Sequence, residues 1–368
     1  MPRVVIAGLG DSGVLTAIGL ARRGIEVVGI SSQPGLVSGQ ELGTRLARPD
    51  EWAREYRIGF DRFRALDGVR TVHAELTGLD PVAREVGWVD VDGRAGSLTY
   101  DVLVIATGCR NGFWRTPRLR SEDEVGADLA RRHEQLAAAD AVLVVGGGAA
   151  AVSSALQLAL RWPDTRIALA FPRERALAQH HRRTWAHVRA RLVSAGVELL
   201  AEHRAVLPEH FEADEITAGP VHWQTGQSQT DADAVLWAIG GVRPNTAWLP
   251  AELLDEHGFV RVEPTLQLPG RPEMFAIGDV AASDPLRSTA RNRADKLLAR
   301  NIGAHLGGRT LRTYSPPRRR WGSVLGVEPD GLRVFAPTGQ AFRFPAWSIE
   351  RVLRPWIVRR GIYHGIRR

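Results

Sequence analysis

The residues best placed for chemistry are two short glycine turns, each with an apolar strand before it and an apolar-periodic helix after it. Val4-Val5-Ile6-Ala7 runs into Gly8-Leu9-Gly10-Asp11-Ser12-Gly13 and on through Leu15, Ile18 and Leu20 to Arg22-Arg23-Gly24. In such a turn the first glycine permits the tight bend, the second lets a pyrophosphate approach the backbone, and the third lets helix pack closely on strand. The helix N-terminus adds N–H donors and a positive dipole. A lone turn of this kind is a weak signal, but here a second strand follows at Glu26 to Ile30. The same grammar recurs at Ala141-Val142-Leu143-Val144-Val145, Gly146-Gly147-Gly148-Ala149-Ala150-Ala151 and Val152 to Leu160, followed by a strand-like run from Arg166 to Phe171. Alanine serves there as the third small residue. Two units of this form predict two dinucleotides in one chain.

Three further strands end where a cofactor can be approached. Tyr100-Asp101-Val102-Leu103-Val104-Ile105-Ala106-Thr107-Gly108 and Asp233-Ala234-Val235-Leu236-Trp237-Ala238-Ile239-Gly240 are buried-type runs closing on glycine. Met274-Phe275-Ala276-Ile277-Gly278-Asp279-Val280 ends with a carboxylate at the C-terminal edge, where open α/β sheets bind ligands. Asp279 can accept hydrogen bonds from sugar-alcohol hydroxyls.

The elements that must position these turns form an α/β chain with two Rossmann-like dinucleotide-binding domains and a small C-terminal appendage. The five segments, over residues 3 to 310, resemble the two-dinucleotide-binding-domain flavoproteins of the pyridine nucleotide-disulfide oxidoreductase superfamily. Its branches include type II NADH dehydrogenases, apoptosis-inducing-factor-like quinone reductases, ferredoxin reductases and disulfide reductases. The resemblance implies a discontinuous FAD domain (1–110 and 241–313), an inserted NAD(P)H domain (111–240) and an appendage (314–368). It implies FAD ligands Gly8, Gly10, Asp11, Ser12, Gly13, Ser31, Thr107, Gly108, Gly278 and Asp279, the last on the ribityl chain. For NAD(P)H it implies Gly146, Gly148, Ala149, Ala151, Arg173, Arg175 and Gly240. A helix from Ser288 to Leu306, with Leu297, Leu298, Ile302 and Leu306 at helical spacing, closes the FAD domain.

The sequence departs from that pattern in three places. Ile30 is followed by Ser31 and Ser32 where an acidic residue usually binds the adenosine ribose. Ser153 replaces a glutamate in the first turn of the second helix. The stretch from Ser288 to Asp295 lacks the glutamine that lies near flavin and quinone in type II NADH dehydrogenases. The second strand end, Phe171-Pro172-Arg173-Glu174-Arg175, has arginines in place of a carboxylate, so NADPH is expected to serve at least as well as NADH. The expected activity is transfer of hydride from NAD(P)H to FAD and then to a quinone or small acceptor. A reductase for an iron-sulfur partner protein and a non-catalytic redox-sensing module stay open.

Composition bounds the alternatives. With 368 residues, 44% hydrophobic and 24% charged, the chain has the length and composition of an ordered protein of two or three domains. Cys109 is the sole cysteine, which excludes an internal disulfide and a Cys-x-x-Cys redox pair. It reads as a small packing residue close to a cofactor, and Trp114 as a wall of the flavin pocket. His180, His181 and His187 lack a carboxylate or further ligand at metal spacing and read as a helix face, so no metal is expected. A net charge of +7, carried by arginine with Lys296 the only lysine, favours anionic partners, yet no nucleic-acid-binding signature accompanies it. The longest uncharged run, Ala141 to Leu160, is interrupted by three glycines and reads as a turn rather than a span. The N-terminus has no secretory pattern, so the expected location is the cytoplasm.

Beyond Tyr314 the tail predicts strands at Val324 to Val327, Leu332 to Ala336 and Ala341 to Phe344. A helical stripe follows through Ile349, Val352, Leu353, Trp356 and Ile357, with Arg351, Arg354 and Arg359 off it and Pro355 forcing a kink or restart. Such a cationic, tryptophan-bearing segment suits either an anionic membrane interface at the inner face of the cell membrane or the protein's own core. A homodimer is compatible with the same reading.

Overall fold

Two parallel sheets organise the computed structural model, which describes residues 2–37, 42–110, 118–209, 211, 216–239, 242–284, 294–317 and 321–367. The first sheet is seeded by β1 (Arg3–Ala7), β2 (Glu26–Ser31), β3 (Val69–Asp80) and β4 (Val102–Ile105), with β1 paired in parallel to β2 and β4, and β2 to β3. Val4 to Ala7 and Val102 to Ile105 are fully buried, as strands covered on both faces must be, and this is why they read as unbroken apolar runs. Helix α1 (Asp11–Ala21) makes the crossover from β1 to the parallel β2. Beyond β3 the sheet continues as an antiparallel meander through Glu85–Asp90 and Ala95–Thr99. Two short helices, α2 (Leu42–Ala47) and α3 (Pro49–Tyr56), follow β2.

The chain then leaves this sheet. Helix α4 (Glu122–Ala137) starts at a capping box in which Ser121 and Glu124 satisfy each other's backbone N–H. It leads into a second sheet of β5 (Ala141–Val145), β6 (Arg166–Ala170) and β7 (Ala234–Trp237), β5 lying parallel between the other two. Helices α5 (Ala149–Arg161) and α6 (Arg182–Ser194) connect its strands, with Glu198–Leu200 and Ile216–Thr217 at its edges. The chain returns to the first sheet with β8 (Arg271–Ala276), parallel to β4, and α7 (Asp295–Leu306), which packs on α1 through Gly19 and Ala299. The two connections between the sheets pair antiparallel where they cross, Cys109–Arg110 against Arg243–Pro244.

The fold class is the one the sequence predicts, and some details differ. The described part of the closing helix begins at Asp295; residues 288–293, including most of the glutamine-lacking stretch, lie outside the described residues, as do Trp114 and Gly240. The first tail strand is Val327–Glu328 rather than Val324 to Val327. Gly326 turns at φ +78°, and Val324 and Leu325 are drawn instead into the core of the second sheet. The hairpin Gly331–Phe335 with Ala341–Pro345 forms as expected. Ile349–Ile362 is one helix of wide, π-type winding that contains Pro355 without breaking. Its Val358 and Ile362, with Tyr363 just beyond, join the core of the first sheet, so the appendage touches both halves of the molecule.

Candidate functional site

The first turn is assembled by close backbone approach at four strand ends. Gly8, at φ +100°, donates its N–H to the Ile30 carbonyl at 2.8 Å, and a Cβ there would lie 2.5 Å from the Ala106 carbonyl oxygen. A Cβ on Gly13 would sit 2.0 Å from the Gly8 carbonyl oxygen, so only glycine lets α1 start this close to β1. At Gly10 the same position is open, with nothing within 4 Å. Two glycines are required by the protein's own packing, and the middle one faces open space at the N-terminus of α1, where a pyrophosphate would fit. Ser12, in the first turn of α1, lies against Gly278 at the end of β8, which brings Asp279 beside the same turn. Ser31 ends β2, buried, and its Oγ accepts from the Gln33 N–H at 3.1 Å, leaving its own O–H to donate to a ribose. The residues present fit FAD.

The surroundings of Ser31 and Ser32 are arginine-rich. Arg120 donates its backbone N–H to the Ser32 carbonyl and pairs with Asp128 at 3.0 Å. Burial pushes the Asp128 carboxyl up, but the Arg120 hydrogen bond and the Arg132 and Arg131 charges outweigh it and hold it below the usual carboxylate range. Next to this cluster the Arg45 guanidinium stacks over the buried Trp52 ring at 4.1 Å.

The second turn repeats the first with one change. Gly146, at φ +149°, donates to the Ala170 carbonyl at 2.8 Å, and a Cβ there would lie 2.3 Å from the Ala238 carbonyl oxygen. Gly148, the N-cap of α5, again faces open space, with exposed Ala149 beside it. Ala151 is fully buried, its methyl taking the place that Gly13 leaves empty. The loop after β6 folds back over this turn, Leu177 donating its N–H to the Gly147 carbonyl at 2.7 Å. Within that loop Arg175 gives Nη1 to the His180 carbonyl and Nη2 to the Ala178 carbonyl, each at 3.1 Å, while Arg173 is exposed. Arg175 therefore holds the loop's shape, and Arg173 is the side chain presented outward. Burial first, and the Arg175 charge second, keep His180 below its ordinary pKa.

Several contributors carry no sequence signal of their own. Asn245 donates from Nδ2 to the Thr107 carbonyl at 3.0 Å and accepts the Thr107 hydroxyl on its carbonyl at 2.8 Å. Its N–H meets the Gly108 carbonyl, so the connection between the sheets is clasped at the end of β4. Gln157, fully buried on α5, donates to the carbonyls of Leu325 and Val327 and accepts from Arg48. Ser153, where a glutamate was expected, is buried against Leu325 and against α2, where a Cβ on Gly43 would lie 2.4 Å from its carbonyl oxygen. A glutamate has no room there, because α2 and the appendage close over that turn of α5. Cys109 is buried and its thiol donates to the Asp279 carbonyl at 3.0 Å, which makes it part of the packing under the Gly278–Val280 turn. No group of three or more His, Cys, Asp or Glu side chains among the described residues is arranged to hold a metal ion.

The tail is buried on one side and exposed on the other. Ile349 is buried and Arg354 and Arg359 pair with Glu55 of α3 at 3.6 and 3.4 Å. Of the stripe, Val352, Trp356 and Ile357 are exposed, as are Phe342 and Trp347; Trp347 and Trp356 show 62% and 58% of their surface. No helix among the described residues is long and apolar enough to cross a membrane.

The family model described as pyridine nucleotide-disulphide oxidoreductase matches residues 2–296. The chain is 26% identical over 342 residues to oxidoreductase ptaL of Pestalotiopsis fici, covering 89% of this chain and 84% of that protein. It is also 26% identical over 389 residues to the demethylphylloquinone reductase NdbB of Synechocystis, covering 94% and 93% respectively. Among solved structures, a ferredoxin reductase from Rhodopseudomonas palustris superposes with a TM-score of 0.67 at 19% identity, over 91% of this chain and 88% of that one, a likeness of fold.

Proposed function

The chain belongs to the pyridine nucleotide-disulphide oxidoreductase family, a group of FAD-dependent NAD(P)H oxidoreductases, and on that premise we propose that it passes reducing equivalents from NAD(P)H to a lipid-soluble quinone. FAD, when bound, supplies the two-electron relay between nicotinamide and acceptor. The protein's part is positioning. In this reading residues 1–110 and 241–313 hold FAD: Gly8, Gly10, Ser12 and Gly13 at the pyrophosphate, Ser31 at the ribose, Thr107, Gly108, Gly278 and Asp279 along the flavin half; Asp11, expected among these ligands from the sequence, is bound by the Tyr363 hydroxyl and is not assigned to the pyrophosphate. Residues 111–240 hold NAD(P)H through Gly146, Gly148, Ala149 and Ala151, with Arg173 at the 2′-phosphate of NADPH and Arg175 shaping its loop. Gly240 keeps its place in the assignment.

The observation that carries the choice of acceptor is the exposed face of the appendage, Trp347, Val352, Trp356 and Ile357 with exposed Arg351 and Arg360, on a tail whose other side is docked on the flavin half. Exposed aromatic and aliphatic side chains interleaved with arginine suit an anionic lipid interface, and a tail docked both ways brings that interface to the flavin. The likeness to a quinone reductase supports the same acceptor. The lone cysteine leaves no thiol relay to compete with it.

Anaerobic titration with NADH and NADPH tests the first half: bleaching of bound flavin is expected, and flavin that stays oxidised overturns the enzymatic reading in favour of a sensor. A screen of quinones against small electrophiles, with and without anionic liposomes, tests the second. Because residues 363–367 are packed on the flavin half, Trp347→Ser combined with Trp356→Ser is a cleaner probe than truncation. Liposome sedimentation should fall while flavin content holds. Light scattering reads the competing outcome, a homodimer that buries the same face. A ferredoxin-type protein as acceptor is the second reading, favoured by the shared fold with a ferredoxin reductase and by the net charge of +7, which attracts acidic partners.

A further inference from the structure

The first turn of α1 is not finished by the strand ends that build it. Asp11, its first helical residue, follows Gly10, whose open side is where the pyrophosphate belongs. A carboxylate at a helix N-terminus is stabilised by the dipole and by the free N–H groups of the first turn, which are the same groups a pyrophosphate needs. Asp11 is thus a local anion beside an anionic ligand's binding place. Its side chain is met by the far end of the chain: the Tyr363 hydroxyl donates to Asp11 Oδ1 at 2.5 Å, across 352 positions of sequence.

Tyr363 is held there firmly. It is 2% exposed and stands edge-on to the buried Phe63 ring, centroids 5.4 Å apart at 84°. The residues after it run along Arg62 to Arg64. The Arg64 N–H meets the Gly365 carbonyl, Ile366 bridges to Phe63, the Arg367 N–H meets the Arg62 carbonyl at 2.7 Å, and the Arg367 guanidinium grips both oxygens of Asp67 at 2.8 and 2.6 Å. A phenol fixed in this way sets the direction of the carboxylate it binds.

We propose that Tyr363 is a flavin-positioning residue: by holding Asp11 on the tail side of the α1 N-terminus it leaves the first-turn N–H groups to the FAD pyrophosphate. The C-terminal segment is then a component of the flavin site as well as a surface element. This inference rests on the assignment of the first turn to FAD, and extends it to a residue outside every glycine motif.

The test is FAD affinity of the apo-protein of the full chain, read by quenching of flavin fluorescence on reconstitution. Tyr363→Phe keeps the ring packing and removes only the hydroxyl. It should weaken FAD roughly tenfold, the scale of one hydrogen bond to a charged group, with a small fall in the melting temperature of the apo-protein, which loses the same hydrogen bond. In an Asp11→Asn background, where no anion competes, the same substitution should change the affinity little. Equal affinity of Tyr363→Phe and the unsubstituted chain overturns the proposal, and so does an equal loss in both backgrounds, which is the mark of a structural role alone. Failure of the unsubstituted chain to bind FAD would instead remove the assignment of the turn itself.

Discussion

The two glycine turns share one local grammar and differ in what closes over them. Both place a glycine of positive φ against a neighbouring strand's carbonyl, at Gly8 and Gly146, and both leave the residue before the helix facing open space, at Gly10 and Gly148. They part at the third small position. Gly13 lies so close to the Gly8 carbonyl that any Cβ would be 2.0 Å from it, whereas Ala151 fits with its methyl buried. They part again in their cover. The first turn is closed by Thr107, Gly278 and Tyr363, while over the second the loop from Phe171 to His180 folds back, with Gly43, Ala238 and Leu325 packed around it and the helix that follows. A turn wrapped by distant segments exists only when the whole fold does.

The sharpest way to break the comparison is at the third position. Gly13→Val should abolish flavin retention and destabilise the protein by several kcal/mol, on the scale of about 1–3 kcal/mol for overpacking plus the shift of helix from strand. At the matching place, Ala151→Gly should cost only about 1 kcal/mol and keep flavin. Absorbance of the purified proteins and thermal melts read both. A soluble, yellow Gly13→Val protein would show that the close approach is dispensable.

Next in size are the cradles themselves. Gly10→Val should lower FAD affinity by on the order of a hundredfold or more while the apo-protein melts nearly normally, because a Cβ there meets no atom within 4 Å and the branched side chain would stand where the proposed pyrophosphate approaches. Gly148→Val should keep the flavin and raise KM for the nicotinamide cofactor instead. Swapped outcomes would exchange the two assignments.

The loop of the second turn offers a finer discrimination. Arg173→Ala should raise KM for NADPH by roughly tenfold and leave NADH little changed, the expected scale for one charged hydrogen bond. Arg175→Ala should affect both cofactors alike, since its guanidinium binds the loop's own carbonyls. A loss of NADPH preference confined to Arg175→Ala would reverse the two roles.

The smallest effect is a pH dependence in the same loop. Burial and Arg175 hold His180 below the ordinary histidine value of 6.5, so unfolding takes up a proton as pH falls below that value. Stability is retained at and above pH 6.5 and declines beneath it, down through the folded-state value. His180→Gln should flatten that part of the stability profile, measured by denaturant melts between neutral and mildly acid pH, while an unchanged slope would assign the acid loss to other groups.

What the sequence determined by itself is whatever depends on local geometry. The unbroken apolar runs Val4 to Ala7 and Val102 to Ile105 specify strands buried on both faces, and glycines at fixed offsets specify turns that let backbone meet backbone. These constraints act over a few residues, so their pattern is legible without the fold. The departures at Ser31 and Ser153 were legible too, but not their meaning: Ser153 is explained only by Gly43 and Leu325, which the fold brings from opposite ends of the chain. The same holds for Asn245 clasping Thr107, for Arg175 turning inward while Arg173 faces out, and for a tail stripe whose Ile349 is buried while Trp356 is exposed. Helical spacing says which residues share a face but not what that face meets, and a polar side chain advertises a hydrogen bond without naming its partner. Only tertiary structure, by deciding which distant segments touch, placed Tyr363 on Asp11.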